Sequence, residues 1–437
     1  MKDPAPNGTS SGLLTRLLAL AVFREVLNDA AVALTVHLVE RLESGDVRNA
    51  IGDFAALRGE IAAGEEPPLL EDAWGSRVVS AVLDAESVFA RKAESGTITE
   101  FVRDQGRRDL GTLRDLFDLD FGGLRKEILA VHPELEAAWT DERPRASVPE
   151  AESPRQLIAR KLRNASEWGD LTASLEAYFV RNGTGLLGRY RAFRWEDGTL
   201  RPVSEPDAIS SQELIGYGRE RGMVALNTER FVRGAPAQHA LLYGPPGTGK
   251  SSTVKAVFNH YAPEGLRLVE VSKERLFELP RLLEALRGRG PRFIVYVDDL
   301  SFEENEVEYK SLKALIEGSI ESPPENVRVY ATSNRRNLIR ESFSEREGDD
   351  VHARDSTQEK LSLAARFGLR VTFLSPDQKT YLDIVRGIAE ERGLDLCGPK
   401  LDALNKEALR RERWGSGRSG RAARQAVDDF EAGLEAR

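Results

Sequence analysis

The chain has 437 residues, and at roughly 100–200 residues per domain that length suggests two or three domains. With 41% hydrophobic and 30% charged residues it reads as a soluble globular protein, which excludes wholesale disorder. A formal charge of −9 argues against a protein coated in nucleic acid, whose affinity would come from phosphate neutralisation by Lys and Arg; only a local basic patch stays open.

Residues 1–11 are rich in Pro, Gly, Ser and Asn and read as a disordered tail. Leu13 to Phe23 superficially looks like a secretory segment, but Arg16 interrupts it, and Arg24, Glu25 and Asp29 follow at helical spacing. An amphipathic helix is predicted there, with no membrane span. Apolar residues then recur at three- and four-residue steps, as in Leu34, Leu38 and Leu42, so residues 12–140 are expected to form a helical N-terminal domain. The proline-rich, charged stretch 140–156 reads as a stiff connector at a domain boundary. Within the segment 141–205 a helix is predicted over Gln156–Val180. The run Tyr190-Arg191-Ala192-Phe193-Arg194-Trp195 reads as a strand entering a tight turn at Glu196-Asp197-Gly198.

Short apolar runs rich in Val, Ile and Tyr follow at His239–Tyr243, Leu266–Val271, Phe293–Asp298, Val327–Thr332 and Leu369–Phe373, alternating with helical stretches. Five such runs predict a five-stranded parallel sheet covered by helices on both faces, a three-layer α/β domain over residues 206–374. After Ser375-Pro376 the pattern turns helical through residues 375–437.

Gly244-Pro245-Pro246-Gly247-Thr248-Gly249-Lys250-Ser251 completes the G-x-x-x-x-G-K-[ST] pattern between a strand and a helix, and Ser252 follows in that helix. Its glycines let backbone amides curl around phosphates, the helix N-terminus adds partial positive charge, Lys250 reaches the β- and γ-phosphates, and Ser251 ligates Mg²⁺. ATP and Mg²⁺ are therefore the expected cofactors. The strand Phe293–Val297 ends in Asp298-Asp299; Asp298 is the expected second metal ligand. Asp299 stands where a water-orienting carboxylate would serve hydrolysis, with Glu303 and Glu304 as further candidates. Cys397 is the only cysteine, which excludes intramolecular disulfides and fits a reducing cytoplasm, while His37, His132, His239, His260 and His352 show no zinc-binding spacing.

These motifs are joined, in order, by Tyr330-Ala331-Thr332-Ser333-Asn334, Leu363-Ala364-Ala365-Arg366-Phe367-Gly368-Leu369 and Gly417-Arg418-Ser419-Gly420-Arg421. The order resembles that of AAA+ ATPases. The resemblance implies Asn334 as the sensor that places the attacking water, and Arg366 as an arginine finger acting on a neighbouring subunit's nucleotide. It implies Arg421 as the sensor arginine of a helical lid, with Arg418 and Arg424 as alternatives. Ile215-Gly216-Tyr217 is similar to the segment that packs on adenine. A narrower resemblance, over roughly residues 155–437, is to a bacterial family of uncharacterised AAA+ ATPases. Its marks are Tyr190–Trp195, Asn227-Thr228-Glu229-Arg230-Phe231, Asp298–Glu303, Ser333–Leu338 and Gly417–Gln425. AAA+ motors more often carry Asp-Glu where this chain has Asp298-Asp299, which touches the rate of turnover more than nucleotide binding.

Arg340–Lys360 is long, polar and almost without apolar residues, a candidate subunit or client contact as well as a plain solvated insertion; Arg335 and Arg336 are candidate anion contacts. The combined reading is an ATP-hydrolysing AAA+ device, an ATP-dependent homo-oligomer acting on a protein or nucleic-acid client, with no membrane partner. The rival is an ATP-binding switch that turns over little and recruits a partner protein.

Overall fold

Residues 10–64, 68–139, 153–300, 312, 323–334, 366–394, 396, 398–413 and 417–435 are described by the computed structural model. By compactness the chain divides into one unit of Met1–Arg189 with Gly288–Pro291, and a second of Tyr190–Arg287 with Arg292–Arg437. The division after Arg189 falls later than the proline-rich connector, whose residues 140–152 lie outside the described ones.

The first unit is helical: α1 (Ser10–Leu18), α2 (Ala30–Glu43), α3 (Val47–Ala62), α4 (Ala73–Asp84), α5 (Val88–Glu94), α6 (Glu100–Phe117), α7 (Phe121–Val131), α8 (Pro154–Asn164), α9 (Thr172–Asn182) and the short α10 (Leu186–Arg189). Side-chain caps start many of these helices. Asp29, Asp72, Ser87 and Thr99 each accept a backbone N–H of the first turn, and Ser153 forms a reciprocal capping box with Gln156. Helix α6 buries Val102, Gly106, Leu110 and Leu113 at helical spacing. On the same helix the buried Asp109 accepts the backbone N–H groups of Ala21, Val22 and Phe23 at 2.8–3.1 Å, which fixes the chain where α1 has ended. The helix predicted over Gln156–Val180 is two helices, α8 and α9, separated by a break and a single 3₁₀ turn, Trp168–Leu171, whose buried indole donates to the Leu162 carbonyl. Glu94 is buried, receives the Thr184 N–H at 2.6 Å and pairs with the Arg289 guanidinium at 2.8 Å. Burial pushes its carboxyl above the usual range, against the lowering effect of the Arg289 charge.

The second unit is built on one sheet with strand order β2-β1-β4-β5-β6-β3-β7. Its strands are β1 (Ala192–Glu196), β2 (Thr199–Val203), β3 (Ala240–Tyr243), β4 (Leu266–Glu270), β5 (Arg292–Val297), β6 (Val327–Ser333) and β7 (Leu369–Thr372). The five predicted runs are β3 to β7, parallel and side by side as expected of the AAA+ class. Among the described residues the sheet nevertheless has seven strands, correcting the five-stranded count. The hairpin β1–β2 supplies the other two, turning through Asp197 and Gly198 at positive φ, and β1 adds parallel to β4. Trp195 donates to Glu278 and Arg275 pairs with Asp197, so the segment after β4 holds the hairpin in place.

Helices α11 (Gly218–Val232), α12 (Lys250–Tyr261) and α13 (Leu279–Leu286) belong to this layer structure, followed by α14 (Gln378–Glu391), α15 (Pro399–Arg411) and α16 (Gly420–Glu435). The last three share a core of Tyr381, Ile384, Val385, Leu404, Ala423 and Val427, a helical lid. The Asn227–Phe231 motif ties α11 to the sheet: Asn227 and Thr228 both bond the buried Tyr330 hydroxyl, and Phe231 meets the guanidinium groups of Arg292 and Arg328. No helix among the described residues is long and apolar enough to cross a membrane.

His239, just before β3, accepts the Val329 N–H at 2.9 Å. Burial, with help from the Arg328 charge, holds its imidazole down to about 4. The unfolded chain therefore binds a proton near pH 6.5 that the folded chain refuses until about pH 4, so stability is full above pH 6.5 and falls as pH drops toward 4. The expected loss between pH 7 and 5 is about 2 kcal/mol, measured as urea denaturation at both values. A His239→Gln chain should show a shallower acid slope; an unchanged slope would refute the assignment.

Candidate nucleotide site

Strands β5, β6 and β3 lie adjacent and parallel, so their carboxyl ends open onto one edge, where open α/β sheets bind ligands. Gly244 leaves β3 at φ 150°, and a Cβ there would come within 1.9 Å of the Phe373 carbonyl oxygen, so only glycine lets the loop pass β7. The loop then curls through Gly247 at φ 77° into α12, whose first residue is Lys250.

Lys250 is 5% exposed and sits at the centre of the loop. Its ammonium donates to the Gly244 and Pro245 carbonyls at 2.8 and 2.9 Å and to Asn334 Oδ1 at 3.0 Å. Burial lowers its pKa, and the Asp299 and Asp298 charges oppose that shift. Asn334 uses its amide to donate to Asp299 Oδ1 at 2.7 Å. Ser251 Oγ donates to Asp298 Oδ1 at 2.8 Å, and the Thr332 hydroxyl donates to the same oxygen. The Asp299 N–H is shared between Asp298 Oδ1 and Thr332 Oγ1. Burial would raise the Asp298 carboxyl, but the donors around it win and hold it below the usual range, so it is ionised at neutral pH. Asp299 holds a left-handed backbone at φ 50°, a local cost often met at functional positions. A cavity of about 580 Å³ opens beside the two acids, also bordered by Arg194, Glu270 and Lys273.

The donor set fits Mg²⁺. Ser251 Oγ and Asp298 Oδ1 are two hard oxygens 2.8 Å apart, one of them anionic, and this ion takes one or two such ligands together with phosphate oxygens and water. Thr248 steadies the loop through its bond to the Pro245 carbonyl, while Pro246 is exposed and Ser252 half-buried in the first turn of α12.

The lid reaches the same loop. Gly420 N–H donates to the Gly247 carbonyl at 2.8 Å, and a Cβ on Gly247 would meet Ser419 and Arg421 at 3.0–3.2 Å. Of the three candidate lid arginines, Arg421 is thus the one whose Cβ borders the phosphate loop; Arg418 turns to Glu412 at 2.9 Å, and Arg424 lies one turn further along α16. Ile215 packs against Gly387 of α14, and Tyr217 packs on Phe373 and donates to the Leu374 carbonyl at 2.6 Å. Burial pushes the Tyr217 phenol up to about 12.

Arg366 is not brought to this edge. It precedes β7, whose Leu369 pairs with Ala240 at the start of β3, so the length of β3, about 13 Å, separates it from the phosphate loop of its own chain. Sequence reasoning missed Thr332 and Tyr296, both of which face Asp298. Thr332 comes beside Asp298 through the strand register, in which Val297 pairs with Ala331, and the sequence carries no signal of that register. Glu303, Glu304, Arg335, Arg336, Arg340–Lys360 and Leu363–Ala365 lie outside the described residues.

A sequence model of the family described as "Protein of unknown function (DUF815)" matches residues 188–434, more than half of the chain. The 26S proteasome regulatory subunit 6B homolog of Encephalitozoon cuniculi is 32% identical over 121 residues, 24% of this chain and 31% of its own. The proteasome-activating nucleotidase of Methanopyrus kandleri is 31% identical over 121 residues, 24% of this chain and 28% of its own. The chain thus spans about three tenths of the length of these curated relatives. Among solved structures, the Thermotoga maritima RuvB Holliday junction branch migration motor is similar over 50% of this chain and 71% of its own, at 17% identity and a TM-score of 0.29.

Proposed function

The chain belongs to the family described as protein of unknown function (DUF815) and is an AAA+ P-loop protein, and from that premise we propose that it binds Mg²⁺-ATP at the edge formed by β3, β5 and β6 and hydrolyses it. One observation carries the reading: an unbroken run of hydrogen bonds from Lys250 through Asn334 to Asp299, and from the Asp299 amide through Thr332 and Asp298 to Ser251. It links the phosphate loop to both acids.

In this reading the loop amides and Lys250 hold the phosphates, while Ser251 and Asp298 hold the cation, which would screen the charge on the transferred phosphoryl group. Asp299, held by Asn334, orients the attacking water and takes its proton. Ile215 and Tyr217 offer the base an apolar seat beside α14, and Arg421 brings the lid onto the nucleotide. Arg366 acts on the site of a second copy, since its own site is a strand's length away. The device so driven is a loader or remodeller of a macromolecular client.

The test is steady-state phosphate release by wild type, Lys250→Ala and Asp299→Asn. Wild type should release phosphate only with Mg²⁺. Lys250→Ala should fall to background, and Asp299→Asn should lose about 10²-fold while still binding ATP. Trapped in ATP, Asp299→Asn should also retain the client that Lys250→Ala does not; equal retention by both would sink the remodeller reading. One observation favours the rival switch: the short Asp299 is held by Asn334 in a left-handed backbone. Equal background release by all three proteins would select that switch and refute hydrolysis.

A further inference from the structure

Strand β5 carries a group that the hydrolytic reading leaves without a task. Tyr296 stands two residues before Asp298, so the alternation of the strand turns both side chains to one face of the sheet. Tyr296 is 2% exposed. Its hydroxyl oxygen is sealed from solvent, faces Ser251, Asp298 and Thr332, and makes no well-formed hydrogen bond. Buried polar atoms are nearly always paired, and a Phe would fill the same space without leaving a donor unmade. The hydroxyl therefore points to a role at the one cluster it faces.

The chemistry of that cluster indicates the role. Asp298 Oδ1 takes three donors, from Ser251, Thr332 and the Asp299 amide. An oxygen that ligates a cation must turn a lone pair toward it, so either Oδ1 releases a donor or Oδ2 takes the ion. Either change rearranges the donors around the carboxylate, and the Tyr296 hydroxyl beside it is a donor free to join the rearranged set. We propose that Tyr296 is a positioning residue of the Mg²⁺ site, its hydroxyl donating to the Asp298 carboxylate when that carboxylate engages the cation. The inference rests on the Mg²⁺-ATP reading above and adds a metal-orienting residue outside the P-loop and acid motifs. Groups that orient metal ligands typically alter metal affinity about 10–100-fold when removed.

The experiment compares wild type with Tyr296→Phe in the full chain. Mg²⁺ is titrated into each protein in the presence of a fluorescent ATP analogue, with an EDTA arm, and turnover is followed across the same Mg²⁺ range. Tyr296→Phe should raise the half-saturating Mg²⁺ concentration about tenfold. Nucleotide affinity in EDTA should stay near wild type. With Mn²⁺ as the ion, the electron paramagnetic resonance spectrum of the ternary complex should differ between the two proteins. An unchanged Mg²⁺ half-saturation and an unchanged Mn²⁺ spectrum would overturn the proposal. Thermal melts set the working temperature below the onset of unfolding for both chains, so a less stable variant still decides the point. A wild type that binds no nucleotide with Mg²⁺ would overturn the underlying reading instead, before any substitution is compared.

Discussion

Replacing Arg366 by Ala should lower ATP turnover by about 10³-fold or more, the scale set by an arginine that stabilises charge on a transferring phosphoryl group, while ATP affinity changes little. Arg366 lies before β7, at the end of the sheet opposite the phosphate loop, and the buried Phe367 beside it anchors that position. An arginine there is a strand's length from the phosphate loop of its own chain, which is why the proposed reading assigns it to another copy. Mixing decides between the alternatives: Arg366→Ala subunits keep a sound phosphate loop, and Lys250→Ala subunits keep a sound Arg366. An equimolar mixture of the two inactive proteins should recover a measurable part of wild-type turnover. No recovery, or a monomer by light scattering with ATP bound, would remove the in-trans role.

Much of this site was legible because its parts are local. The phosphate loop is a contiguous string, and β3 to β6 are apolar runs whose burial on both faces leaves little else for them to be. Legibility ended where the chain is polar or where contact spans great sequence distance. Strand β2, Thr199–Val203, is a half-exposed edge with Arg201 and Pro202 and shows no apolar alternation, so its pairing with β1 had to be seen. Asp197-Gly198 signalled the turn but not the partner. The break after Asn164 interrupts an apolar pattern that reads as continuous, because α9 resumes it directly after the Trp168–Leu171 turn. The bond from Gly420 to Gly247 joins residues far apart in the chain, and it separates Arg421 from Arg418 in a way that no spacing of arginines predicts. Tyr296 was hidden for a different reason: inside an apolar strand a tyrosine reads as core, and its hydroxyl acquires meaning only beside Asp298.

The two acids at the end of β5 should part company under substitution, although they are adjacent and of one type. Asp298 is the inner one, accepting from Ser251, Thr332 and the Asp299 amide, and the polar groups around its carboxylate outweigh burial and hold it below the usual range. Asn in its place keeps the size but removes the charge, and whichever way its amide turns, an N–H₂ group faces a donor or takes the place of the metal-binding oxygen. Asp298→Asn should therefore lose the enhancement of ATP binding by Mg²⁺ and lower turnover by about 10²–10³-fold, while affinity in EDTA stays close to wild type. Asp299 joins the same network by hydrogen bonds through its amide and through Asn334. Asp299→Asn should keep the Mg²⁺ enhancement intact and lose turnover alone. Isothermal titration with ATP, with and without Mg²⁺, for the two variants separates the roles. If both variants respond to Mg²⁺ as wild type does, Asp298 is not the metal ligand; if both lose the response, the acids act as one unit and the assignment of Asp299 to the attacking water fails.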